Sequence, residues 1–154
     1  MFSRDRRLIG DKSPGKNESP EEAVAKVEKA LENYIVGEWE FMYIRTSNFL
    51  RAAMTADRIR TSCEIKLLAR HPASYTKRLK AFVKAFRASS FTLATSHLDI
   101  RYGFIVRDNR SREIMTIFQD SYTQMVVING ATYRVTGALT RWFIDLARAT
   151  TDIL

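Results

Sequence analysis

Apolar residues recur along this chain at two different periods, and the switch between them divides it. In SPEEAVAKVEKALENYIVG, residues 19–37, Val24, Val27, Leu31 and Tyr34 return at helical spacing. Ser19 and Glu22 stand at the two ends of a capping box, Pro20 suits the first helical position, and Gly37 offers a stop. From Glu38 to Arg70 there is neither Gly nor Pro. There Trp39, Met42, Thr46, Phe49, Leu50 and Ala53 keep a helical period, which predicts a second, mostly helical segment closed at His71-Pro72. Within it, EWEFMYI also alternates well enough for a strand. A third helix opens at Ser74, with Tyr75, Leu79, Phe82, Val83 and Phe86 on one arc of its wheel.

After Phe91 the period becomes two. Leu98, Ile100, Tyr102, Phe104 and Val106 fall on one strand face, with His97, Asp99, Arg101 and Arg107 on the other. DNRS at 108–111 predicts a turn, and Ile114, Thr116 and Phe118 then alternate with Met115 and Ile117. VVINGATYRV predicts a hairpin, because Asn129-Gly130 tolerates the positive φ angles of a type I′ turn. That turn pairs Ile128 with Ala131, Val126 with Tyr133 and Gln124 with Val135. Met125, Val127, Thr132 and Arg134 are left on the opposite side. Gly137 leads into a last helix over 138–152, striped by Leu139, Trp142, Phe143, Leu146 and Ala147. The pattern predicts an α+β fold: three N-terminal helices, a four-stranded antiparallel meander and a C-terminal helix, the helices packed on one sheet face. It forms a single domain over 19–154 behind a flexible polar arm over 1–18.

Charge sharpens this picture. The 154 residues carry a formal net charge of +8, which favours anionic partners. No acid occurs from Ile65 to Leu98, while Lys66, Arg70, Lys77, Arg78, Lys80, Lys84 and Arg87 all do carry charge. In the third helix, Lys77, Lys80, Lys84 and Arg87 form an arc beside the apolar one. A solvated helix usually has Glu partners at four-residue spacing, and here there are none. The alternative is an idle amphipathic helix whose lysine stems cover apolar surface. The missing acids favour a cationic surface made of Lys77, Lys80, Lys84, Arg87 and Arg70, facing either an acidic protein or nucleic-acid phosphates. Arg4, Arg6 and Arg7 in the arm offer a second contact.

Catalytic chemistry is thinly represented. The order helix, strands, helix over 75–152 is similar to that of the double-stranded-RNA-binding domain. The last helix, GALTRWFIDLARA, offers only Arg141 and Arg148 where that family has a lysine cluster, and DNRS lacks its histidine-bearing loop, so the resemblance is rejected. His97 and Asp99 project from one strand face and form the only acid–base pairing in view. Ordinary surface residues account for them as well. Cys63 stands alone, which rules out an intrachain disulfide and fits a reducing setting. One Cys and two distant His give no metal spacing, and no Gly-rich phosphate loop or other cofactor motif exists. Glu64-Ile65-Lys66 behind Asp57 has the spacing of a magnesium nuclease, but only if the segment is a strand, and the helical reading sets it aside. No apolar run suits a signal peptide or a membrane span, so a cytoplasmic setting is expected. Met125 and Val127, on an open sheet face, leave room for a homodimer. The sequence therefore describes a small non-enzymatic intracellular binding protein of adaptor, inhibitor, chaperone or immunity type. It docks an acidic protein through a basic helix, with a nucleic-acid-binding module as the alternative.

Overall fold

The computed structural model describes residues 18–45, 52–120 and 124–153. Its elements run α1 (Pro20–Glu32), β1 (Val36–Tyr43), α2 (Ala56–Ser62), β2 (Ile65–Ala69), α3 (Pro72–Arg87), β3 (Ser89–Leu93), β4 (Ile100–Asp108), β5 (Glu113–Asp120), β6 (Met125–Ile128), β7 (Ala131–Gly137) and α4 (Leu139–Ile153). All seven strands join one antiparallel sheet in the order β2-β1-β4-β5-β6-β7-β3. The arm expected over 1–18 lies outside the described residues except for Glu18, and so do Arg4, Arg6 and Arg7.

The expected architecture is corrected on two counts. The long helix over 38–70 is instead a strand, a two-turn helix and another strand. The helical reading grouped Trp39 with Met42. In fact Trp39 and Phe41 enter the core under the long helices, while Met42 enters a second core on the opposite face. A period of two over residues 36–43 therefore wins over the helical count, and aromatic residues suit a strand flanked by two others. The four-stranded meander is the interior of a seven-stranded sheet, extended by β1 and β2 on one side and by β3 on the other.

The second correction concerns layers. The helices do not all lie on one face. α1, α3 and α4 bury Val24, Val27, Leu79, Phe82, Phe86, Leu139, Phe143 and Leu146 against one side of the sheet. The short α2 covers part of the other side, where Ile59 packs with Met42, Ile44, Met54, Ile100, Ile105 and Phe118. Thr55 caps α2, its hydroxyl accepting from the Arg58 amide at 3.1 Å. Ile100 was expected on the face of Tyr102. A pairing irregularity between these two residues turns it to the α2 side.

Two other local readings hold and two shift, one of them because α1 ends at Glu32 rather than at Gly37. The capping box of α1 is formed, with the Glu22 amide donating to Ser19 Oγ at 3.1 Å and the Ser19 amide to Glu22 Oε1 at 2.9 Å. The β6–β7 hairpin has the expected register, with Val126 opposite Tyr133 and Ile128 opposite Ala131, and Asn129 and Gly130 turn at φ 47 and 89°. α3 begins at Pro72 rather than Ser74, since proline at the first helical position needs no amide partner.

Gly103 of β4 lies where the second core is tightest. A Cβ there would stand 2.9 Å from Met42 Cε and 3.0 Å from two carbons of the Phe118 ring. Gly103→Ala is expected to cost about 1–3 kcal/mol through overpacking, read as a lowered denaturation midpoint with unchanged m-value. Met42→Ala by itself opens a cavity and lowers stability, but in that background Gly103→Ala should cost less than in the parent, since the nearest obstructing atom is gone.

Candidate functional site

α3 carries the predicted cations, and its roll is fixed from its first turn. The indole Nε1–H of Trp39 donates to the carbonyl of Tyr75 at 3.1 Å, and the Tyr75 hydroxyl donates to the carbonyl of Val36 at 3.0 Å. These two buried bonds bolt the start of α3 to the start of β1. Tyr75, Leu79, Phe82, Val83 and Phe86 are buried, while Lys77, Arg78, Lys80 and Lys84 are exposed.

The five candidate binding residues do not share one state. Lys77, Lys80 and Lys84 have no ion-pair or hydrogen-bond partner among the described residues. Arg87 is paired with Glu28 and lies 4.0 Å from Glu21, both on α1, and the Glu28 bond raises its pKa. Arg70 meets Glu38 at 3.2 Å. The unneutralised ridge is thus the middle of α3, with Arg78 beside it, and the cations at its two ends are spent. Partners for those two could not be found by scanning residues 65–98, because they arrive from α1 and β1.

A feature the sequence did not announce lies beside the ridge. A cleft of about 380 Å³ opens between the end of α1 and the start of α3, lined by Leu31, Glu32, Tyr34, Val36, Pro72, Tyr75, Thr76 and Lys80. At its edge α1 ends in a double hydrogen-bonded cap. The Ile35 amide donates to Ala30 O at 3.0 Å and the Tyr34 amide to Leu31 O at 3.3 Å, with Tyr34 left-handed at φ 57°. Glycine normally fills that position, since a side chain there costs about 1–2 kcal/mol. Tyr34 accepts this strain although its side chain is 90% exposed. No packing among the described residues repays it. Ile35, 42% exposed, continues the apolar rim. The first turn of α3 contains no acid to offset the positive end of the helix dipole.

The opposite sheet face holds the remaining candidates, and they are internally satisfied. Arg107 bonds Glu38 at 2.6 Å and Glu40 at 2.9 Å and lies 3.6 Å from Glu113. Lys66 adds a contact to Glu40 at 3.0 Å, and Arg60 one to Glu113 at 2.7 Å while lying over the Phe118 ring. Burial opposes ionisation of Glu40, but hydrogen bonds from Lys66 and Arg107 outweigh it and hold the carboxyl below its ordinary value. The Arg60 hydrogen bond does the same for Glu113.

His97 and Asp99 are not brought together. Asp99 accepts from Arg101 at 2.9 and 3.1 Å and from the Met54 amide at 2.8 Å, while His97 is exposed in the connection before β4. Arg101 is 3% exposed and also donates to Arg45 O at 2.8 Å, so this cluster ties loops together. Glu64 and Lys66 do flank a strand residue, contrary to the helical reading. Yet Glu64 is engaged by the Arg45 amide at 2.7 Å and Lys66 by Glu40, and no metal-binding group of three or more His, Cys, Asp or Glu occurs among the described residues. Burial pushes the Cys63 thiol up, away from nucleophilic thiolate character. Met125 is 2% exposed and Val127 packs into the second core, so the apolar pair that left room for a dimer on this face is covered. Among the described residues no helix is long and apolar enough to cross a membrane.

Comparison with known proteins finds no family model that matches the chain, no matching curated protein and no matching solved structure.

The charge network has a pH signature. Glu40 and Glu113 titrate below the ordinary value of 4.5 in the folded protein. Their contribution is therefore fully present above that value and drains as pH falls through the depressed folded values. Acid titration of stability should show a loss beginning below about pH 4.5, and Glu40→Gln should lower stability at neutral pH while flattening that acid limb. An acid limb as steep in Glu40→Gln as in the parent protein would contradict the assignment.

Proposed function

We propose that the protein acts by binding rather than catalysis, docking an acidic protein partner on the surface formed by the Tyr34 cleft and the Lys77–Lys80–Lys84 ridge. A partner carboxylate meets the lysines, and an apolar side chain of the same segment enters the cleft beneath Tyr34. The observation that carries this reading is the strained, exposed tyrosine. A stability cost retained at a surface position points to use of the side chain there. Lys80 belongs to both the cleft lining and the ridge, which makes them one site. A reducing cytoplasmic setting for the single thiol is part of the same proposal.

Nucleic acid is the second reading, since exposed aromatic and cationic groups can serve bases and phosphates. The surroundings favour protein. Glu32 lines the cleft, and Glu28 and Glu21 sit where the ridge ends at Arg87. A phosphate backbone would be repelled at those points, whereas a protein surface of mixed charge can match them.

Fluorescence anisotropy separates the two readings. The probes are a labelled acidic peptide with one central phenylalanine and a labelled DNA duplex, each titrated across a salt series. The peptide is expected to bind at about 0.15 M salt, and Lys77→Glu/Lys80→Glu/Lys84→Glu to weaken it at least about tenfold. Tyr34→Gly is expected to weaken peptide binding while raising thermal stability, because it relieves the left-handed strain. Duplex binding that falls steeply with log salt, with no peptide binding, would transfer the proposal to nucleic acid. A Tyr34→Gly protein that binds the peptide unchanged would remove the cleft from it.

A further inference from the structure

The two edges of the sheet are defended unequally. β2 carries Lys66, and Arg70 and Pro72 follow it closely. Charge and proline at an edge discourage pairing with other chains. β3, at the other edge, reads SSFTL, and residues 88–98 contain no Lys, Arg, Asp, Glu or Pro. The cation that precedes it in the chain, Arg87, is paired with Glu28, and the nearest cation across the ladder is Arg134 of β7, opposite Thr92. Leu93 at the end of β3 is 74% exposed.

The hydrogen-bond phase of β3 follows from its neighbours. The Ala94 amide donates to Thr132 O at 3.1 Å, and Ala94 and Thr132 continue the register in which Thr92 faces Arg134 and Ser90 faces Thr136. In an antiparallel pair, bonded residues alternate. Ser90 and Thr92 therefore spend their backbone groups on β7, and Phe91 and Leu93 direct theirs to the open edge. Beside that edge lies a second cleft, lined by Glu21, Val24, Phe86, Arg87, Ser89 and Phe91.

We propose that β3 is a dimerisation edge, pairing antiparallel with β3 of a second copy about a two-fold axis at Phe91. That register places Phe91 opposite the partner copy's Phe91 and Leu93 opposite its Ser89. Both matches join residues whose backbone groups face outward, so each can exchange two hydrogen bonds. Leu93 and Ser89 lie on the helix-covered face, the face of Phe91, so each exposed leucine comes down over the cleft lined by Ser89, Phe86 and Phe91 in the other copy. A second copy fits this edge better than the acidic partner of the ridge does, because β3 itself carries no charged side chain to recognise. A strand pairing about a two-fold axis is self-complementary by construction.

The test is oligomeric state measured by sedimentation velocity over a wide concentration range at about 0.15 M salt. The full chain is expected to dimerise reversibly. Leu93→Lys, which places a charge on an exposed edge position, is expected to be monomeric at the same concentrations with an unchanged circular dichroism spectrum, and its melting temperature is expected to lose the concentration dependence of the parent's. The register is read separately in a Cys63→Ala background. Thr92 and Ser90 of the two copies become a close non-hydrogen-bonded pair, so a mixture of Ser90→Cys and Thr92→Cys chains should cross-link under mild oxidation while neither alone does. A chain that stays monomeric throughout, or a Leu93→Lys protein that dimerises as tightly as the parent, overturns the proposal. Cross-linking of either single-cysteine chain alone overturns the register.

Discussion

The structure turns on the ring of Phe104. It lies at the centre of β4 and touches three other aromatics from three elements: Trp39 of β1 at 5.4 Å, Phe82 of α3 at 4.7 Å and Trp142 of α4 at 5.0 Å between ring centroids. Each such pair contributes about 0.5–1.5 kcal/mol beyond the area it buries. Their greater effect is geometric. Tilted and edge-to-face contacts fix how α3 is rolled against the sheet, and the Trp39 and Tyr75 hydrogen bonds fix its first turn. Rolling α3 by one residue would carry Leu79 out of the core and swing Lys80 toward it, exchanging a buried leucine for a buried ammonium, which burial without a partner penalises heavily. The cations of α3 face outward because the rings leave no other choice.

Where the acids sit explains why part of that surface remains charged. Glu38, Glu40 and Glu113 are held by Arg107, with Lys66, Arg70 and Arg60 around them, on the sheet face away from α3. Among the ridge candidates, α1 reaches only Arg87. Lys77, Lys80 and Lys84 are left over because no carboxylate among the described residues, those of the neighbouring α1 included, comes within ion-pair distance of them. The net charge of +8 is thus expressed locally as well as globally. Exposed pairs of this kind add little stability one by one, whereas a network around a half-buried Arg107 adds more.

Features that depend on a few neighbouring residues were legible in the sequence. The Ser19 capping box and the Asn129-Gly130 hairpin follow from local chemistry, and both formed with the expected partners. The two faces of α3 were likewise readable, because one helix period sorts rings from cations. Residues 38–70 were not, since Trp39 and Met42 satisfy a helical period and a two-face strand equally well. Only the presence of two cores, one on each side of the sheet, decides between them. The Ile100 flip needs the pairing irregularity beside it, and the neutralisation of Arg70 and Arg87 needs contacts across more than thirty residues of chain. The Tyr34 cleft had no sequence signal, because α1 ends at Glu32, five residues before the glycine that seemed its natural stop.

Two places in this fold decline substitutions that simple physical rules would favour. Glycine at position 34 would relieve a left-handed tyrosine, and a charge at position 93 would guard an open edge. They lie toward opposite ends of α3, whose sixteen residues span about 24 Å. Antiparallel pairing of two β3 strands about an axis perpendicular to the sheet keeps the helix layers of both copies on the same side. Both ridges and both Tyr34 clefts then face one direction, held at a fixed separation. A partner with two acidic segments would bind the second site at a high effective concentration, gaining avidity with no new contact. In the proposed dimer the neutral edge and the strained cleft are complementary: one would set the spacing at which the other is presented.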